Sequence, residues 1–184
     1  MLLMFQSFLA VNAKAVLLSF AILIAPFALV WLEGKKARKE LLLSKLKFLQ
    51  TLVHGLGLFA TAFLLLLVEG IVLSAAGLLD NQSVIKIISV QDPLILLAAV
   101  TIGPVGEELL FRGYLQKKIG VPLQALLFGL FHYGYGSLAE ILAAITIGLL
   151  FGLYVKKYRN IYSAVFAHAL YNLFSIIIVF SIFV

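Results

Sequence analysis

FLQTLVHGLGLFATAFLLLLVEGIVLSAAGLL, residues 48–79, decides the fold. Only His54 and Glu69 can ionise within it. One membrane-spanning helix needs roughly 20 apolar residues. The stretch therefore crosses a bilayer with length to spare, and the surplus must tilt, bend or end outside it. The same texture continues on both sides. Upstream lies an apolar run at Ala15–Leu32; downstream lie runs at Pro93 to about Leu115, Val121 to about Tyr135, Leu138–Tyr154 and Ile161–Val184. Pro93 is a favourable first helical position. Met1–Lys14 reads as a short interfacial helix or a frayed start. With no basic segment ahead of an apolar stretch, it does not read as a signal peptide.

Composition agrees with these runs. Of 184 residues, 64% are apolar and 12% charged. Ordinary soluble domains run near 45–50% apolar and about 25% charged, and a small globule cannot hide that much apolar surface. A soluble enzyme, a disordered tail and a nucleic-acid module are excluded, and the absence of cysteine excludes a disulfide scaffold. The fold class is all-α: a polytopic transmembrane helical bundle of about six spans. It forms one membrane domain over residues 1–184, with the motif-bearing core at about 93–184. The net charge of +6 reflects basic loops, not a nucleic-acid surface. Glu33–Lys47 carries +4, and Lys117–Lys118 and Lys156–Arg159 are the other basic breaks. These alternate with loops nearly free of basic charge. By the positive-inside rule the three basic loops face the cytoplasm and both termini face outside.

Ionisable groups inside lipid are costly, so each invites a functional reading. Glu69, Glu107, Glu108, Arg112, His132, Glu140 and His168 lie within or near the apolar runs. Counted from the basic breaks at about 1.5 Å per residue, Glu107, His132 and His168 reach similar depths of roughly 10–15 Å. Glu108 and Arg112 are four residues apart and can pair on one helix face. Glu107 points away from Glu108 and is free for a different partner. Phe128 with His132, and His168 with Asn172, share the same spacing. His54, Glu69 and Glu140 read as helix–helix or helix-end groups, and Phe128, Tyr133, Tyr135 and Tyr171 as packing or interfacial aromatics.

A carboxylate and an imidazole can share a water and remove its proton. A second imidazole and an amide can donate to a developing oxyanion. Such a set suits attack of water on a carbonyl, most naturally a peptide bond. The same Glu107, His132 and His168 could instead bind a zinc ion, although the His-Glu-x-x-His helix of zinc proteases is missing. No glycine-flanked nucleophilic serine and no phosphate-cradling loop is present.

Three motifs carry a resemblance. Glu107-Glu108-Leu-Leu-Phe-Arg112 resembles the Glu-Glu-x-x-x-Arg motif of the CPBP family of intramembrane proteases, which includes CAAX-prenyl endopeptidases and many bacterial relatives. Phe128-Gly-Leu-Phe-His132 is similar to its Phe-x-x-x-His motif, and His168-Ala-Leu-Tyr-Asn172 to its His-x-x-x-Asn motif. They occur in the family's order over about residues 100–175. The resemblance implies that Glu107 and His132 activate water, that His168 and Asn172 stabilise the oxyanion, and that Glu108 and Arg112 support the site. It leaves open a metal-free glutamate mechanism or a divalent metal such as zinc. CAAX-trimming members have eight spans and this chain about six, so prenyl-protein trimming is not expected.

The expected function is thus an intramembrane endopeptidase acting near the cytoplasmic leaflet. Its partners are a peptide or membrane-protein substrate and the lipid bilayer, with no nucleic acid. A multi-pass position in a prokaryotic plasma membrane is expected. The alternative is a non-catalytic protein that sequesters a peptide, as in bacteriocin self-immunity. A transporter using Glu107 and His132 as a proton relay is a weaker reading, since no inverted repeat is visible.

Overall fold

The computed structural model describes residues 2–43 and 47–183, with side chains from Val16 onward. Lys45, in the first basic loop, lies outside the described residues. Long helices α1 (Leu2–Leu32), α3 (Phe48–Ala75), α8 (Leu138–Tyr158) and α9 (Ile161–Ile182) form the frame. Shorter helices complete it: α2 (Ala37–Glu40), α4 (Gln82–Ser89), α5 (Pro93–Val100), α6 (Ile102–Glu108) and α7 (Gln116–Phe131). A π-helical turn at Leu109–Leu115 joins α6 to α7, and a 3₁₀ turn at His132–Tyr135 follows α7. No strand occurs among the described residues. The protein is an all-helical membrane bundle.

The six expected runs all become helical, with three differences. The first run has no boundary near Ala15, because α1 is helical from Leu2. The third and fourth runs form one stretch, Pro93–Tyr135, of 43 residues. It folds back at Gly120, whose φ of +80° only glycine adopts freely, just before Pro122. The polar break Asp80–Asp92 contains a helix, α4. Its apolar residues Val84, Ile87 and Ile88 recur at helical spacing and so fall on one side.

Without water to drive helices together, close approach and interhelical hydrogen bonds hold a membrane bundle. Gly148 and Gly152 let α7 reach the α8 backbone. A Cβ on Gly148 would stand 2.9 Å from Ala125, and one on Gly152 would stand 2.9 Å from Val121. Buried Gln124 donates to the Gly148 carbonyl at 2.8 Å, and Gln116 to that of Gly152 at 3.1 Å. Farther along the chain, His54 Nδ1 meets the Tyr154 hydroxyl at 2.9 Å, and Thr146 donates to Glu69 at 2.7 Å.

The first two basic breaks meet at one end of the bundle. Lys118 and Lys35 each contact Glu33 at 2.7 Å, Tyr114 donates to the same carboxylate, and Lys117 reaches Glu40. Its hydrogen bond from Lys118, then those from Lys35 and Tyr114, lower the Glu33 pKa to about 2. At the opposite end Asp80 caps α8 from outside that helix. It accepts from the Ser137 hydroxyl at 2.8 Å and from the backbone N–H groups of Leu138 and Ala139 at 2.7 and 2.9 Å. The two backbone bonds, followed by that of Ser137, hold its pKa below the ordinary carboxylate value.

Helix α1 packs on α6 at Gly106, where a Cβ would fall 2.8 Å from the Leu23 backbone nitrogen. Gly106→Val must therefore push α1 away. The expected cost is about 1–3 kcal/mol, read as a lower midpoint of thermal unfolding in detergent. Gly57→Val, where open space surrounds the added carbon, is the control. Equal midpoints for the two variants would contradict this packing.

Candidate active site

The site begins where α5 breaks. Asp92 caps α5 by accepting from Leu94 N–H at 2.8 Å, and Pro93 follows the cap as foreseen. The helix breaks at Thr101, and Pro104 has no N–H to give back to it. The break leaves the Ala99 carbonyl available, and Asn172 of α9 donates its Nδ2 to it at 2.8 Å. One Nδ2–H is thus spent on fixing Asn172, and a second remains.

Glu107 and Glu108 end α6, and the π-turn that follows carries Arg112. Single π-turns inside helices recur at functional sites. Here the turn seats Phe111, Arg112 and Gly113 in the core. Glu108 and Arg112 are both fully buried, and Glu108 Oε1 lies 3.0 Å from Arg112 Nη1. The expected i,i+4 pair is present. The same Oε1 lies 3.0 Å from His168 Nδ1, so one carboxylate oxygen joins Arg112 to His168. The guanidinium lies 4.1 Å from the centroid of the Phe128 ring and 5.8 Å from that of Phe151. The three guanidinium nitrogens lack an aligned hydrogen bond, so charge contact and these rings are what hold them.

Phe128 is more than packing. Its ring meets Phe111 at 5.1 Å, His132 at 4.8 Å and His168 at 6.0 Å, and its carbonyl lies 2.8 Å from His132 Nδ1. A carbonyl only accepts, so Nδ1 carries the proton of the neutral ring and Nε2 is left as a base. Tyr135 also stacks on His132, at 5.8 Å and 19°.

Glu107 faces a cavity of about 390 Å³. Its Oε2 is buried with no hydrogen-bond partner and stands 3.9 Å from His168 Nε2. His132, His168 and Asn172 line the same cavity. All four residues expected at the reaction centre therefore share one wall, with Glu108 and Arg112 behind it. Glu107 and His132 make no direct hydrogen bond, and both face the same cavity.

Two expectations change. Val121 faces Gly152, which lies inside the end of α8, so His132 stands farther from the basic end than His168. The count from Pro122 misses this because Gly120 starts the α7 segment within the bundle. The cavity extends beyond the level of His168. It runs from His168 to Val84, Ile87 and Ile88 of α4, at the end away from the basic face. The zinc set Glu107, His132 and His168 is also not assembled: among the described residues no three His, Asp or Glu side chains are placed to hold a metal ion. His168 Nδ1 is engaged by Glu108 and His132 Nδ1 by Phe128, and the remaining donors do not converge.

Residues 89–174 match the family model described as type II CAAX prenyl endopeptidase Rce1-like. This segment belongs to the CAAX protease-like family. No curated protein and no solved structure matches the chain. The Rce1-like segment runs from the end of α4 into α9 and contains all three motifs, from Glu107 to Asn172. The match makes this segment similar to a protease family. Sequence reading did not single out Tyr135, Glu140 and Tyr171 as cavity residues, yet each lines this cavity. Glu140 was visible as an acid near a helix start; nothing in the spacing showed that its side chain turns inward.

Proposed function

We propose that the protein is an intramembrane endopeptidase whose water is activated by Glu107 and His132. The observation that carries this reading is the buried, unpartnered Oε2 of Glu107 on a cavity wall shared with His132, His168 and Asn172. A peptide carbonyl enters the cavity beside His168 and Asn172. Glu107, with His132 Nε2 close by, takes a proton from a water, and the resulting hydroxide attacks the carbonyl carbon. The oxyanion accepts from His168 Nε2–H and the second Nδ2–H of Asn172. Because Nδ1–H goes to Glu108, this role requires Nε2 to carry its own proton. The tetrahedral species then collapses, the C–N bond breaks, and the proton taken from water passes to the departing amine. The products are a carboxylic acid and an amine, which settle as carboxylate and ammonium. A peptide segment within the membrane is the substrate that the apolar remainder of the cavity suits.

The test uses purified protein in proteoliposomes, apolar peptides and water enriched in oxygen-18. Mass spectrometry should find paired fragments, with one heavy oxygen in the new carboxyl group. Intact peptides across a broad set would overturn the reading. Within the same assay, Asn172→Ala should lower kcat about 10²–10³-fold, the usual effect of a lost oxyanion donor, with KM little changed. An Asn172→Ala defect confined to KM would instead assign that side chain to ground-state binding.

A further inference from the structure

A second cavity of about 250 Å³ adjoins the first, between α3, α4, α8 and α9. The two share Glu140 and Tyr171, with Val84 and Ile88 of α4 and Ser175. Glu140 is in the first turn of α8, where Ser137 Oγ accepts its backbone N–H at 3.0 Å. Ser-x-x-Glu is the capping-box pattern, in which the glutamate would bend back to the cap residue. No such return bond is present. No hydrogen bond or ion pair joins this carboxylate to another described residue, and it faces both cavities. Deeper in the second cavity, Glu69 gives Oε2 to Thr146, while its Oε1 is buried without a partner. No Lys or Arg lines either cavity.

Besides Asn81, Ser137, Tyr171 and Ser175, the second cavity is lined by apolar side chains and glycine, and two carboxylates in such a pocket are costly unless a cation reaches them. A substrate ammonium or guanidinium would supply it, and charge-assisted hydrogen bonds are among the stronger kind. Tyr171 adds an aromatic ring to the same walls, a further favourable surface for a cation. A long basic side chain, apolar along its stem and charged at its tip, matches a passage that is apolar at α4 and acidic at Glu140 and Glu69.

The geometry points to the second cavity as a specificity pocket for a lysine or arginine side chain of the peptide, with Glu140 at its entrance and Glu69 at its end. This deepens the endopeptidase reading and rests on it. Asp80 has no part in the pocket, since its carboxylate is consumed in capping α8.

The test uses the full chain in proteoliposomes with quenched-fluorescent apolar peptides. A single lysine is walked along each peptide on both sides of the cleaved bond, with norleucine, an uncharged residue with a similar stem, at the same positions. At one position lysine should be preferred over norleucine about tenfold or more in kcat/KM. That ratio should fall toward one in Glu140→Gln and in Glu69→Gln, and Glu140→Lys should turn the preference toward glutamate. Equal losses on lysine and norleucine peptides in Glu140→Gln, with the ratio kept, would overturn the pocket and leave Glu140 a positioning residue. No charge preference in the wild type would also overturn it. Binding of the same peptides to Glu107→Gln protein, by fluorescence anisotropy, separates the two readings. A lysine preference there without turnover in the wild type sinks the endopeptidase and keeps the pocket. Turnover without a lysine preference does the reverse.

Discussion

Glu107→Gln is expected to abolish peptide hydrolysis, lowering kcat by about 10⁴-fold, the upper end of what a positioned acid–base group contributes. The magnitude follows from the surroundings. Glu108, the neighbouring carboxylate, is already held by Arg112 and His168 and cannot replace it. His132 Nε2 remains, but alone it lacks the carboxylate that would share the proton of the water. The amide fits the same space, and Glu107 Oε2 has no hydrogen bond to lose. The variant should therefore keep the wild-type amount in membranes and the wild-type unfolding midpoint, and should still bind peptide. The measurement is single-turnover cleavage in proteoliposomes beside an anisotropy titration. Turnover within tenfold of the wild type would remove Glu107 from the reaction. A protein that only sequesters a peptide would keep its whole effect in this variant.

The bundle was legible in the sequence because lipid imposes it. Residues 48–79 and 161–184 admit few alternatives to spanning helices, and the basic break at Lys156–Arg159 separates runs where the structure does, whereas between the third and fourth runs the chain turns at Gly120, just after Lys117–Lys118. The Glu108–Arg112 pair was legible for a similar reason: i,i+4 spacing fixes a shared face before any tertiary contact forms. Spacing could not show that Glu108 also holds His168, sixty residues away. Nor could it give the level at which α7 begins. That level is set by Gly120, Gly148 and Gly152 together, across two helices. Helix α4 escaped notice because eight residues between two polar ends look like a loop by composition. Its apolar side acquires meaning only once the cavity beneath it exists. Asp80 is a comparable case, since a cap is usually sought just before its own helix and this one comes from the segment after α3.

Arg112→Ala should produce the largest loss of stability of any single change in the site. Glu108 is fully buried; Arg112 pairs with its Oε1, and His168 Nδ1 lies 3.0 Å from the same oxygen. Removing one partner of such a pair typically costs about 3–5 kcal/mol, because the remaining charge stays in low dielectric. The Phe128 and Phe151 rings lose the guanidinium beside them as well. For a chain of this length each kcal/mol lowers the unfolding midpoint by roughly 2–4 °C, so a fall on the order of 10 °C is expected in detergent. Arg112→Lys should recover little, since a point charge cannot lie flat between two rings. The combined Glu108→Gln and Arg112→Met variant separates fold from chemistry. With neither charge left inside, its midpoint should return most of the way to that of the wild type. Hydrolysis should stay low, because a neutral amide at position 108 no longer offers His168 Nδ1–H a charged acceptor. A wild-type midpoint for Arg112→Ala alone would show that Glu108 is not carried as a buried charge. Full activity in the double variant would show that His168 needs no carboxylate behind it.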